Sequence, residues 1–483
     1  MMANLLPRIA TGIPELDGVL YGGIPEHSIV VIAGESGSGK TVLTLQMLFD
    51  AARHKKNSLY FTTLSEPPFK VIRYMQLFDF FDEKLMAEHI TMADLGSILR
   101  HQGAEPALAA MIERVETEEP AIVVIDSFKA IHDMIEPGRQ RSFVYDLAVS
   151  MTGWGATTFL VGEYNDADMV SLPELAVADG IVRLRAERSE LAMVRQLEVH
   201  KLRGSQFVTG THFFDIDTSG IRFYPRVRTP LATAPSPSPA GRVRTGAAGL
   251  DELLDGGLPR ASTTFVIGGT GTGKTILGLT FLLEGARNGE PGVLLALEEG
   301  PDQIRETARA FGWDLAKFER QGLLSLLYAS PVELSTDRFL HDALAAIARI
   351  GARRVVLDSL TSLALGISER RLKELVYALA KHLRAAGVTA MASMEVAELL
   401  GSARISGYGL SFAADNLIFM RYLEIAGRLD RAVAIIKARG VAHSPVLHEL
   451  LIDDQGIRVG GPLQQLQGVL TGLPATRNES IPR

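Results

Sequence analysis

The chain has no cysteine among its 483 residues and only two tryptophans. Without cysteine there can be no disulfide, no zinc ribbon and no thiol chemistry, and a reducing compartment is compatible. No run reaches about 18 uninterrupted apolar residues, so no membrane span is expected. The opening MMANLLPRIATG lacks a basic segment followed by a long apolar run, so no signal peptide is expected. The cytoplasm is the expected location. Charge is also unremarkable in sign: the net value is −7, which gives no general attraction to nucleic acid. What is present is the composition of a globular protein, 47% hydrophobic and 22% charged. At this length one ordinary core does not suffice, and two or three domains are expected.

The chain repeats itself. The segment TGIPELDGVLYGGIPEHS, residues 11–28, matches TGAAGLDELLDGGLPRAS, residues 245–262. Thr11, Gly12, Leu16, Asp17, Leu20, Gly22, Gly23, Pro25 and Ser28 all recur at an offset of 234 residues. Such register over a long stretch indicates duplication. Between the copies, TPLATAPSPSPAG is rich in Pro, Ala and Ser and has no apolar periodicity, which predicts an extended linker. The expected boundaries are a first domain over 1–228, a linker over 229–241, a second domain over 242–460 and a flexible polar tail over 461–483. Within each half, short β-branched runs alternate with helical spacing: SIVVIAG, SLYFTTL, AIVVIDS and ATTFLVGE, then TTFVIGG, GVLLALEE, RRVVLDS and TAMASME. That alternation predicts an α/β fold, a mostly parallel sheet flanked by helices in each half.

Each half carries a complete phosphate-binding loop. GESGSGKT runs from Gly34 to Thr41, and GGTGTGKT from Gly268 to Thr275. Glycines let backbone N–H groups turn inward around phosphate oxygens, the lysine reaches the outer phosphates, and the last hydroxyl ligates Mg²⁺. The nucleotide-binding residues expected are therefore Gly34, Ser36, Gly37, Ser38, Gly39, Lys40 and Thr41 in the first half. Their counterparts are Gly268, Thr270, Gly271, Thr272, Gly273, Lys274 and Thr275. ATP and Mg²⁺ are the ligands such loops imply.

Turnover needs more than a loop: a second acid for the metal and a group to orient the nucleophile. Asp126 and Asp358 each close a buried apolar run and suit the metal side, although a helix cap would read the same way. Glu298 and Glu299 follow the run LLAL; aligning Leu64 with Leu297 places Ser65 and Glu66 opposite them. A carboxylate there could polarise an attacking water, or simply be a solvated strand end. Glu163 and Glu395 end the following strands and read either as phosphate sensors or as loop anchors. Lys201 with Arg203, and Lys437 with Arg439, form Lys-x-Arg pairs on a strand before a hairpin. They read as a solvated basic edge or as fingers that reach a neighbouring subunit's γ-phosphate.

With these motifs together, the chain resembles the KaiC family of RecA-like ATPases up to about residue 460. The carriers are the TG…LD…GG(I/L)P segment, both loops, LEEGPDQIRETARAFGWD, the VVIDS and VVLDS strands and the two K-x-R-G segments. The resemblance implies two tandem RecA-like domains stacked as rings in a homo-hexamer, with ATP between subunits. It implies MgATP at Lys40, Thr41 and Asp126 and at Lys274, Thr275 and Asp358, with Glu298 as catalytic base beside Glu299. It implies Lys201, Arg203, Lys437 and Arg439 acting across the interface, and regulatory or signalling proteins as partners. The family's clock members carry an adjacent Ser-Thr phosphorylation pair. Here Ser411 stands at the serine and Phe412 at the threonine, so only single-site serine autophosphorylation is expected. With Ser65 in place of one acid, the first domain is expected mainly to bind ATP. The other readings are a DNA recombinase or helicase of the same superfamily, and a nucleotide-bound scaffold without turnover.

Overall fold

Alternate residues of the phosphate-loop strands point to opposite faces, and both faces are apolar. In Ile29–Gly34, Val30 and Ile32 join one buried cluster while Ile29, Val31 and Ala33 join another. In Thr263–Gly268, Phe265 and Ile267 pack on one side and Val266 on the other. A strand buried on both faces must lie inside a helix-covered sheet. The computed structural model describes residues 6–64, 66–189, 192–227, 241–331, 335–396, 409–410, 412–425, 427–440, 442–454, 456–463, 466–467 and 475–476. Ser65, Ser411, nearly all of the expected linker and most of the expected tail lie outside them.

Two compact units divide the chain, Met1–Arg226 and Val227–Arg483. The first holds a nine-stranded sheet. Six strands run parallel, in the spatial order Ile90–Asp94, Ser58–Thr62, Ile122–Asp126, Thr157–Gly162, Ile29–Gly34, Gly180–Ser189. Three antiparallel strands continue it: Ala192–Leu202, His212–Asp217 and Gly220–Tyr224. The second unit repeats this order, with Thr263–Gly268 between Thr389–Glu395 and Asn416–Ile425. Its final strand, Gly456–Pro462, runs past the boundary expected at 460, and a short pair, Leu466–Gln467 with Ala475–Thr476, lies in the expected tail. No described helix is long and apolar enough to cross a membrane.

The helix after each loop, Lys40–Arg53 and Lys274–Arg287, is buried on more than one face. In the first, Leu43, Leu45, Met47, Leu48 and Phe49 are all inaccessible, and Val42 is only half-buried.

The recurring TG…LD…GG(I/L)P segment is a structural clasp. Asp17 Oδ1 accepts from the Thr11 amide at 2.8 Å, and Asp251 Oδ1 accepts from the Thr245 amide at 2.8 Å. Ser28 Oγ donates to Pro25 O at 2.6 Å, as Ser262 Oγ does to Pro259 O at 2.7 Å. Gly23 and Gly257 sit at φ +109° and +117°, and a Cβ on either would lie 2.2 Å from Ile9 O or 2.5 Å from Val243 O. Only glycine fits a left-handed position pressed against a carbonyl. Gly23→Ala and Gly257→Ala should each cost about 3 kcal/mol in urea unfolding. Gly18→Ala, on a helix with open space around it, should cost nothing or stabilise slightly.

Candidate functional site

Each phosphate loop lies where a central parallel strand ends and a helix begins, the place where helix N–H groups and dipole favour an anion. Gly39 and Gly273 cap their helices at φ 101° and 102°. A Cβ at these positions would lie 2.8 Å from Ile216 Cδ1 and 2.4 Å from Ile452 Cδ1. The antiparallel hairpins therefore lean on the loops and keep them narrow.

The catalytic-type side chains converge on the loops in both units. Lys40 Nζ donates to Gly34 O and Glu35 O at 3.0 and 2.8 Å, and Lys274 Nζ to Gly269 O at 2.8 Å. Burial lowers the pKa of both lysines. Glu163 and Asp126 oppose that shift at Lys40; Glu395, Asp358 and Glu298 oppose it at Lys274. Thr41 Oγ1 donates to Asp126 Oδ2 at 3.0 Å, and Thr275 Oγ1 to Asp358 Oδ2 at 2.7 Å. The helix-cap reading of those aspartates falls to the next residue: Ser127 and Ser359 accept from Ala130 N and Ser362 N. Both Asp–Ser peptide bonds are cis.

Around this shared frame the two sites differ. In the first, Tyr60, fully buried, donates its hydroxyl to Asp126 Oδ2 at 2.6 Å. Burial raises the Asp126 pKa, and the Tyr60 and Thr41 hydroxyls oppose that shift. In the second, Ser393 donates to Asp358 Oδ1. Tyr422 and Arg431 also cap the loop there, donating to Gly271 O at 2.7 and 3.3 Å.

The acids after the neighbouring strand differ more. Glu298 Oε1 accepts from Ser359 and Ser362 hydroxyls at 2.5 and 2.6 Å. Glu299 Oε2 is buried without a hydrogen-bond partner, and burial, then the charges of Asp358 and Glu298, raise its pKa. In the first unit the pairing of Leu64 with Leu297 shifts by one residue. Thr63 N donates to Asp126 O as Leu297 N donates to Asp358 O, so Leu64 stands at Glu298. The following helices start at Pro68 and Pro301, so the first connection is one residue longer. Counted back from those helices, Glu66 stands at Glu299. It accepts from Lys70 at 3.0 Å on the surface, and its charge still reaches Asp126.

The Lys-x-Arg pairs straddle strand ends rather than lying within strands. Lys201 and Lys437 belong to Ala192–Leu202 and Arg428–Ala438, while Arg203 and Arg439 lie just beyond, before Gly204 and Gly440 at positive φ. Lys201 Nζ donates to Ala176 O at 3.2 Å and Lys437 Nζ to Ala414 O at 2.7 Å. Arg203 and Arg439 stand level with Ile29 and Thr263, about 17 Å along the strand from the loop in the same unit, while Lys201 and Lys437 stand level with Val31 and Phe265, about 10 Å from it. Tyr60, Ser362, Asp179 and Asp415 escaped the sequence reading. A tyrosine inside an apolar strand, and the repeated Ala-Asp before Gly180 and Asn416, were the available signals.

The residues suit MgATP. Mg²⁺ takes few protein oxygens and keeps waters and phosphates, and each site offers one hydroxyl beside one carboxylate. Among the described residues, no group of three or more His, Asp or Glu could hold a metal alone.

Paired loops, lysines and strand-end acids at the carboxyl edge of two parallel sheets define a tandem P-loop ATPase of RecA-like type. The family model described as "ATPase: KaiC" matches residues 9–228 and again 243–464. The chain is 29% identical over 479 residues to the circadian clock oscillator protein KaiC of Acaryochloris marina, covering 97% of this chain and 91% of that protein. It is 29% identical over 486 residues to the protein of that name in Parathermosynechococcus lividus, covering 98% and 89%. For Synechococcus elongatus the figures are 27% over 482 residues, covering 97% and 92%. The chain belongs to the KaiC family.

Removing the Tyr60 hydroxyl should weaken MgATP binding by the first unit. Its hydrogen bond lowers the Asp126 pKa, so Tyr60→Phe raises that pKa further. Metal binding needs the carboxylate, so affinity should fall with decreasing pH and begin falling at higher pH in the variant. In a Lys274→Ala background the expected loss is roughly tenfold, measured by fluorescent-nucleotide titration across pH.

Proposed function

We propose that the chain forms a ring, a hexamer by family resemblance, that binds MgATP between subunits and hydrolyses it slowly. The second domain carries most turnover, and the first binds ATP mainly to hold the assembly together. The observation that supports this most directly is the separation of each Lys-x-Arg pair from the loop of its own unit. Cations at the far edge of the sheet cannot touch phosphates held at the near edge, so they suit a neighbour's nucleotide. Bound Mg²⁺ would neutralise developing phosphate charge.

In the second domain Lys274 would bind the outer phosphates, and Thr275 with Asp358 would hold the metal. Glu298 is the base that orients and deprotonates water, fixed by its two serine hydroxyls, with Glu299 beside it. Burial and the charges of Asp358 and Glu298 raise the Glu299 pKa. The first domain retains Lys40, Thr41, Asp126 and Glu66 but has Leu64 where Glu298 stands, which supports binding over turnover. Ser411 is the proposed phosphoacceptor of a serine autokinase activity. The role is that of an ATP-driven regulatory scaffold with protein partners in the cytoplasm.

Lys274→Ala should abolish most ATP hydrolysis, while Lys40→Ala should chiefly impair ATP-dependent assembly. Light scattering with and without ATP, beside a phosphate-release assay, separates the two. Turnover that vanished only with Lys40→Ala would reverse the assignment. Phosphopeptide mapping after incubation with MgATP should find label on Ser411; its absence would remove the autokinase role.

A further inference from the structure

In each unit the residue just before the strand between the phosphate-loop strand and the hairpin, Gly180–Ser189 or Asn416–Ile425, is an aspartate. Asp179 Oδ2 accepts from Ile29 N at 3.1 Å, and its own N–H donates to Ile29 O at 2.7 Å. Asp415 makes the same pair with Thr263, at 3.0 and 2.8 Å. Each aspartate also holds the arginine of the Lys-x-Arg segment. Arg203 N donates to Asp179 O at 2.8 Å and Arg439 N to Asp415 O at 3.1 Å. The guanidiniums approach the carboxylates at 3.5 and 3.8 Å. The first residue of the loop strand, an aspartate and an arginine are thus joined in both units.

The second unit adds one cation to this arrangement. Arg384, in the last turn of helix Glu369–Ala385, ion-pairs with Asp415 Oδ2. The same place on helix Gln140–Gly153 is Thr152, whose hydroxyl instead bonds Ala148 O at 2.8 Å. Among the described residues, Asp179 therefore faces one arginine and Asp415 faces two. The Asp415 side chain is only 9% exposed, whereas Arg384 and Arg439 are 46% and 60% exposed. Lys381 joins Arg384, Arg439 and Asp415 around one cleft, with Tyr377 and Phe412 on its walls. Its formal charge is +2, against zero for the Asp179–Arg203 pair.

We infer that Arg384 is a positioning residue for turnover by the second domain, which it supports by neutralising Asp415. A carboxylate attracts both guanidiniums, and the closer one dominates at short range. With Arg384 in contact, Asp415 retains the Arg439 backbone but draws little on its charge. The Arg439 guanidinium then faces outward, toward a neighbouring subunit's phosphates. Among the described residues Arg203 has no such competitor for Asp179, although it stands as exposed as Arg439, at 59% against 60%. This rests on the reading that Arg439 acts across an interface, and it assigns the stronger finger to the domain that keeps the acidic pair.

The test uses the full chain with Arg439→Ala, Arg384→Ala and Arg384→Lys, reading kcat and KM for ATP and the size of the assembly. Arg439→Ala should lower kcat by at least about 100-fold. Arg384→Ala should lower kcat roughly tenfold with KM changed less than about twofold. Arg384→Lys, which restores the charge, should recover most of that loss. Unchanged kcat in Arg439→Ala would overturn the interface reading itself. Unchanged kcat in Arg384→Ala, with Arg439→Ala impaired, would overturn only the positioning role. Loss of assembly in both Arg384 variants would also overturn it, since Arg384 would then be a packing contact.

Discussion

The bond from the last loop hydroxyl to the strand-end aspartate organises each domain. Thr41 to Asp126 and Thr275 to Asp358 tie the first turn of a buried helix to a strand two places away in the sheet. This is also a poised arrangement: the two oxygens that hold each other are the two that suit a divalent cation. The protein thus preorganises, with its own hydrogen bonds, the two oxygens proposed to hold Mg²⁺.

Duplication preserved this frame and altered what surrounds it. The clasp formed by Thr11, Asp17, Gly23 and Ser28 recurs almost bond for bond at Thr245, Asp251, Gly257 and Ser262. The frame is constrained by packing and by left-handed backbone positions, so it tolerates little change. The strand-end acids, the partner of the metal-side aspartate and the cations near Asp415 meet no such constraint. There the domains diverge. Tyr60 supports one aspartate and Ser393 the other, and only the second domain adds Arg384.

Much of the fold was legible in the sequence because both signals used there are local. Short β-branched runs marked the parallel strands, and glycine-rich loops marked the nucleotide edge. Features that depend on register were not legible. The shared leucine pairs Leu64 with Leu297 in sequence, but main-chain bonds place Thr63 there instead, and one inserted residue absorbs the difference. The Lys-x-Arg pairs were recognisable, yet their position at strand ends required the neighbouring glycines at positive φ. Tyr60 and Asp179 contact residues distant in sequence, and nothing in their own segments names those partners.

The distance between loop and Lys-x-Arg edge has a consequence for symmetry. A module that holds nucleotide at one edge and, as proposed, serves a neighbour's nucleotide with the other is polar. Two copies placed face to face about a twofold axis would join like edges and satisfy neither. Head-to-tail contact satisfies both, and it propagates until it closes or grows into a filament. Closure then depends on the rotation between adjacent copies, a quantity set by packing rather than by nucleotide chemistry.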